Sequence, residues 1–415
     1  MLSHFFEAPA RIREIRSNPS GALIEGYADY LFENGYAEIS ARRHIRSAEH
    51  IVHWATRSHV SVSEMDDRVL KRFGDHLKRC RCGRYCRSNR GEILTGARLF
   101  LRHSHGIDPA VIRVPTPADS KPLLLQSFCH WMREHRGTSD LTLYNYGLPI
   151  QELIRRFGSD QGKLDAKRLR KFILTQTRNV GWATAKRCTT ATRMFLRFLI
   201  AEGRCRAGLL GAIPALAHWR LSSLPRYLPP DAVERVIDFC DVSSPVGKRD
   251  RAILLLLARL GLRAGDLVRM RLEDIDWKGA FVHVSGKGRR ETRLPLTQEV
   301  GDAIVSYVQK GRPGSHSETL FLRSRAPFRG FRSHAAVSVV VAAAFRRAGI
   351  KRPVRGAAHL LRHSVASSML RQGASLQEIA ALLRHRSIET TQIYAKIDVT
   401  ALQQIAQPWP EVQSC

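Results

Sequence analysis

The sequence predicts a mainly α, multidomain protein with a small antiparallel sheet near the start of its C-terminal half. Three observations lead there. Most of the chain places apolar residues at helical spacing. Two N-terminal segments resemble each other, and both read as runs of short helices. A proline-rich break is then followed by two strand-like runs flanking a glycine-containing turn. At 415 residues the chain exceeds one ordinary core, and at roughly 100 to 200 residues per domain it should hold two to four.

The first N-terminal segment runs YLFENGYAEISARRHI from Tyr30 to Ile45 and later ARLFLRHSHG; the second runs WMREHRGTSDLTLYNY from Trp131 to Tyr146 and later TRMFLRFLIAEG. Both close on Arg-(Leu or Met)-Phe-Leu-Arg, which suggests two copies of one helical unit. Ser40 and Thr142 precede apolar-periodic stretches and suit N-caps. Between Cys205 and Pro230 the chain turns irregular, with Pro214, Pro225, Pro229 and Pro230 breaking any long helix. The expected organisation is a helical N-terminal unit over 1–115, a second helical unit over 116–206, a linker over 207–226, a domain over 227–400 and a tail over 401–415. In the fourth part, Asp231 to Cys240 and Arg249 to Leu260 carry helical periodicity, while Phe281 to Val284 and Thr292 to Leu296 flank Ser-Gly-Lys-Gly-Arg-Arg as a strand pair.

Lys and Arg total 67 against 37 Asp and Glu, a formal charge of +30 with a pI near 10.7. Solubility needs far less, so a polyanionic partner is implied. The longest apolar runs, Ala252 to Leu257 and Ala335 to Phe345, are too short to span a bilayer. The N-terminus lacks the apolar region and cleavage site of a secretory signal, so a cytoplasmic location is expected. Eight scattered cysteines then read as thiols rather than a disulfide framework. Cys80, Cys82 and Cys86 cluster in RCRCGRYC and would hold zinc only if His76 or His103 gave a fourth ligand. Their spacing matches no common knuckle, and no metal is expected.

Five short islands in the C-terminal half hold basic or nucleophilic residues: GLRAGDL with Arg263, SGKGRR with Lys287, HLLRH with His359 and Arg362, LLRHRS with His385, and TTQIYAK with Tyr394. Each island alone is unspecific, since an isolated arginine or His-x-x-Arg is most often a solvated helix feature. Together, over about residues 225 to 400, they resemble the tyrosine recombinases, the phage-integrase family, in the order Arg, Lys, His-x-x-Arg, His, Tyr. The spacings agree: 24 residues from Arg263 to Lys287, 23 from Arg362 to His385 and nine from His385 to Tyr394. The family commonly has Leu-Gly-His where this chain has Leu383-Arg384-His385. That substitution either adds a phosphate contact or crowds the loop carrying Tyr394.

The resemblance implies a helical catalytic domain with helical DNA-binding units before it, and a DNA strand transferase that needs neither metal, cofactor nor ATP. Tyr394 would attack a DNA phosphate to give a 3′-phosphotyrosyl link. Arg263 and Arg362 would hold the non-bridging oxygens, where guanidinium forks stabilise the charge that builds in the transition state. A phenol with a pKa of about 10 needs help losing its proton, and His359 on the helix face of Arg362 is placed to give it. Lys287 resembles the family's general acid for the 5′ leaving oxygen. His385 would donate to the scissile phosphate or hold Tyr394 in line. Asp266 matches the acidic position beside the first arginine and would orient its guanidinium. His363 would point off the catalytic face. Retained bond energy fits the absence of a G-x-x-x-x-G-K-(S/T) loop.

Double-stranded DNA is the partner implied, with four protomers in the synaptic complex and room for an accessory recombinase or DNA-bending protein. Arg42, Arg43, Arg46, Lys186, Arg187, Arg193 and Arg197 would contact phosphates. The segment after Tyr394 would form a short helix that docks on a neighbouring subunit. The second N-terminal unit leans towards a mobile-element enzyme. A type IB topoisomerase or a catalytically silent DNA-binding protein are the alternatives.

Overall fold

The computed structural model describes the whole chain except residues 83–84, 86–88, 107–121, 159–164, 217–223, 286–290, 352–355, 386, 398–402 and 404–415. The chain divides into two compact units, one formed by Met1–Ile112 together with Leu224–Cys415 and the other by Arg113–Ser223.

The N-terminal part of the first unit holds α1 (Leu2–Phe5), α2 (Pro9–Arg16), α3 (Gly21–Glu33), α4 (Glu38–Arg57), α5 (Asp67–Leu77) and α6 (Arg90–Ser104). Their apolar faces close one core in which Tyr27, Ile45, Ile51, Phe73 and Phe100 are fully buried. Asp66 caps α5 through Arg68 and Val69 N–H, and Asn89 caps α6 through Gly91 N–H. The second unit repeats this plan with α7 (Leu123–Arg136), α8 (Asp140–Phe157), α9 (Ala166–Thr177) and α10 (Trp182–Ala201). Phe195 in the closing Arg-Met-Phe-Leu-Arg is buried, as is Phe100 in the corresponding Arg-Leu-Phe-Leu-Arg of the N-terminal part.

Two expectations need correction. Ser40 and Thr142 lie inside α4 and α8, whose N-caps are Ala37 and Ser139, because each helix begins a turn earlier than its apolar stripe. The expected linker from 207 starts as a 3-10 helix, Ala207–Ala212, and Leu209, Leu210 and Ile213 extend the core of the second unit.

From Leu224 onward come α11 (Pro230–Asp238), α12 (Pro245–Ala258), α13 (Ala264–Arg269), β1 (Ile275–Asp276), β2 (Phe281–Ser285), β3 (Glu291–Pro295), α14 (Gln298–Lys310), α15 (His334–Arg347), α16 (Ala357–Arg371) and α17 (Leu376–Leu382). The sheet is antiparallel in the order β1-β2-β3, with His283 opposite Arg293. The two expected strands are present; β1 is the addition. Prolines open α11 and α12, where a missing N–H costs nothing. Helix α12 is buried along Ala252 to Leu257 and forms the spine of the core. Among the described residues no helix is long and apolar enough to cross a membrane.

One buried ion pair ties the spine to its surroundings. Arg249 donates to Asp250 at 2.7 and 3.1 Å and to the Leu322 carbonyl at 3.1 Å, and its guanidinium lies over Phe331. Removing Arg249 leaves the buried Asp250 with only the longer contact to Arg347 at 3.8 Å, so Arg249→Met should destabilise the fold by about 3 kcal/mol, read as a lower urea midpoint in full-length protein.

Candidate active site

Helix α16 carries His359, Arg362 and His363 and packs on α12 and α15. Arg362 is buried, and its two terminal nitrogens donate to the carbonyls of Gly261 and Leu383. Gly261 has φ of 57°, and a Cβ there would come within 2.7 Å of the Leu383 side chain, so both conformation and space call for glycine. Arg263, the N-cap residue of α13, turns its guanidinium to the same place, 3.5 Å from the Leu383 carbonyl and 3.3 Å from that of Arg384. The two arginines expected to act together therefore share one backbone oxygen. Burial, then the charges of Arg263 and Arg384, pulls the Arg362 guanidinium below its ordinary range, which marks a site with more cation than anion.

Asp266 does something other than expected. Its carboxylate accepts from the backbone N–H of Arg263 and from Arg269, both at 3.0 Å, and it pairs with Arg384 rather than with the Arg263 guanidinium. Arg384 follows the C-cap of α17 with φ of 52°. That left-handed conformation suits glycine and costs another residue about 1–2 kcal/mol. The buried pair with Asp266, whose side chain is 2% exposed against 7% for Arg384, holds it there. Arg384 thus contributes a third cation; its Nε and Nη1 are buried without a partner among the described residues.

His385 follows directly and bonds through Nδ1 to the Thr391 hydroxyl at 2.7 Å. Burial, then Arg362 and Arg263, lowers its pKa to about 4, so the ring is neutral at pH 7. Tyr394 sits in the 3-10 turn Gln392–Ile397, 1% exposed, packed with Ala366, Ile379 and Leu383. Its hydroxyl shares a hydrogen bond of 2.7 Å with Nδ1 of His363. Burial pushes the phenol up to about 12, against a downward pull from Arg362. Burial, His359 and Arg362 take His363 down to about 4.

His363 is thus the residue that sequence reasoning misplaced. It lies four residues after His359 on one helix face, with ring centroids 6.5 Å apart. That spacing was the available signal. His359 is exposed and makes no side-chain hydrogen bond among the described residues. Lys287, Cys86 and most of the segment after Ile397 lie outside the described residues. Of the expected phosphate ligands, Arg42 is occupied by the Phe5 carbonyl and Glu38.

The chain is similar to known proteins. The family model described as the phage integrase family matches residues 226–400. The protein y4rA of Sinorhizobium fredii, which bears the description integrase/recombinase, is 34% identical over 99% of this chain and 99% of its own. The chain belongs to the phage integrase family of tyrosine recombinases. A tyrosine recombinase XerD of Lacticaseibacillus casei is 29% identical over 66% of this chain and 94% of its own. Among solved structures, the XerH site-specific recombinase bound to palindromic difH substrate shares the fold, with a TM-score of 0.56, 19% identity, and coverage of 69% of this chain and 85% of that one. This chain is accordingly a DNA-recombining enzyme of mostly helical architecture with a small three-stranded sheet.

The histidine shifts set a pH dependence. Values near 4 for His363 and His385 lie below the 6.5 of a free imidazole. Between those limits the unfolded chain binds more protons, so this stability is complete above pH about 6.5 and is lost as pH falls towards 4. Urea unfolding of the recombinase should show that loss, and His363→Asn, which keeps a polar group at the Nδ1 position, should flatten the slope.

Proposed function

We propose that this recombinase cuts and rejoins double-stranded DNA at specific sites through a 3′-phosphotyrosyl link to Tyr394. The observation that carries the reading is the convergence of the Arg263 and Arg362 guanidinium groups on the Leu383 carbonyl beside the buried Tyr394, with Arg384 next to them paired to Asp266. A crowded, incompletely neutralised set of cations stabilises an anion, and a phosphodiester under attack gains charge on its non-bridging oxygens. Arg263 and Arg362 are the forks for those oxygens.

In the step itself, the Tyr394 oxygen bonds to phosphorus, the bond to the 5′ oxygen breaks, and Lys287 gives that oxygen a proton. The phenolic proton leaves to a histidine. His363 holds the hydroxyl while the site is empty, and His359, on the same face and open to solvent, is the acceptor we assign once DNA is bound. His385, fixed by Thr391, presents its other ring nitrogen to the phosphate. Because the tyrosyl ester keeps the bond energy, the freed 5′ hydroxyl of a second duplex reverses the step without ATP. Protein cations supply the charge stabilisation that phosphoryl-transfer enzymes elsewhere draw from metal ions. Exchange between two duplexes calls for four protomers.

A net charge of +30 supports DNA as the partner, acting where chromosomal DNA is, in the cytoplasm. The XerD relative is matched over only 66% of this chain, whereas y4rA is matched over 99%. We assign the additional helical part to binding DNA outside the core site, as a mobile-element integrase requires, with 1–115 and 116–206 as DNA-binding units and 227–400 as the catalytic domain.

A nicked suicide duplex from the genomic neighbourhood tests the reading. Wild type should form a covalent adduct resolved on a denaturing gel, and Tyr394→Phe should form none. Arg362→Lys should slow adduct formation by about 10²–10³-fold, since an ammonium cannot reproduce the fork. An adduct in Tyr394→Phe would remove the assignment.

A further inference from the structure

We propose that the N-terminal helical part contains a structural zinc site formed by His50, His76, Cys80 and Cys82. The four donors come from three separate stretches: His50 from the middle of α4, His76 from the last turn of α5, and the two cysteines from the loop after α5. Their ligand atoms all lie within 4.8 Å of one another. Cys80 Sγ is 3.4 Å from His50 Nε2, and Cys82 Sγ is 3.8 Å from His76 Nε2. Zinc bonds of about 2.3 Å to sulfur and 2.0–2.1 Å to nitrogen give tetrahedral edges of about 3.3–3.8 Å. Both contacts fall in that range, while the widest pair of ligand atoms, up to 4.8 Å apart, would draw in by about 1 Å as the ion enters.

Two further observations set this group apart from a chance meeting of thiols and imidazoles. Backbone N–H of Cys82 donates to Cys80 Sγ at 3.4 Å. A thiol sulfur is a weak acceptor, whereas an amide aimed at sulfur supports a thiolate bound to metal. His50 is fully buried, a polar side chain inside an apolar core, with Phe73 set edge-on and Tyr85 stacked on its ring at 5.2 Å each. A buried imidazole requires a partner; Nε2 has the Cys80 sulfur, while Nδ1 is buried without one among the described residues.

The donor set selects the metal. Two thiolates and two imidazoles in a tetrahedron suit Zn²⁺, and the two negative charges neutralise the ion, which removes the cost of burying it. With four protein ligands no position is open for substrate, so the role is structural: the site pins the basic loop after α5 to the middle of α4. Sequence reading grouped Cys80, Cys82 and Cys86 with either His76 or His103 as the fourth ligand and expected no metal; Cys86 lies outside the described residues. His103 instead lies against the rings of Tyr27 and Tyr30. The proposal is independent of the reaction assigned to Tyr394.

The test uses full-length protein expressed in zinc-replete medium. Elemental analysis should find about one zinc per chain. Cys80→Ser combined with Cys82→Ser should bring this below about 0.1, while Cys129→Ser in the second unit keeps it. Replacing the metal in wild type with Co²⁺ should give sulfur-to-cobalt charge-transfer bands and tetrahedral d–d absorption, a readout that does not depend on the variant folding. Wild type that contains no metal and gives no thiolate–cobalt bands would overturn the site. So would zinc retained in the double variant, or recovery of Cys80 and Cys82 as a disulfide with no metal bound.

Discussion

Two guanidinium groups held against one carbonyl oxygen are the constraint on which the catalytic half depends. Arg263 and Arg362 both point at Leu383 O, and like charges a few ångströms apart in a partly dry site repel by on the order of a few kcal/mol. The backbone carbonyls of Gly261, Leu383 and Arg384 offset that repulsion without neutralising it. A side-chain carboxylate on either arginine would give more stability and leave less field for a phosphate. The carboxylate beside them, Asp266, is engaged by Arg384, Arg269 and the end of α13. Stability is thus set aside at the place where charge is used.

The surrounding elements follow from this need. For Leu383 O to reach both arginines, α17 must end at Leu383 and the chain must reverse at once. Arg384 makes that reversal in a left-handed conformation, and the same turn delivers His385 and then the segment carrying Tyr394. The glycine the family commonly uses would make the turn without strain. Here the cost is offset by the buried pair with Asp266, which also links the loop to α13. Substitution of a glycine by arginine therefore reads as a change of fastening, not a loss of the motif.

Much of this was legible in the linear order. Arg263, Arg362, His385 and Tyr394 stood out through the resemblance in order and spacing, and α13, α16 and the α17 turn bring them together, with α16 shared between the main core and the smaller cluster around Tyr394. What the sequence hid was tertiary. His363 looked idle because it is rotated about 100° from Arg362 on the helix, yet Tyr394 arrives 31 positions later from that side. Asp266 was matched to the correct arginine but to the wrong atoms of it. His50 was invisible as a ligand because it precedes Cys80 by 30 positions, outside any local spacing rule, and Ser40 and Thr142 misled because a hydroxyl suits a first turn as well as a cap.

The Tyr394–His363 contact completes the electrostatic logic. A phenol held near 12 against an imidazole held near 4 is a pair in which neither group ionises at neutral pH. In that state the Tyr394 hydroxyl is buried and un-ionised, although Arg362 already favours its anion. A DNA phosphate bound to the arginines would displace that balance in opposite directions. Its charge would satisfy the cations and weaken their pull on the phenol, so attack cannot gain from the arginines' ground-state field alone. The hydroxyl must leave His363 and lose its proton as the bond to phosphorus forms. Under the proposed reaction, release of the hydroxyl would require movement of the 3-10 turn carrying Tyr394, a segment fastened mainly by apolar packing and the hydrogen bonds of Thr391 and His363.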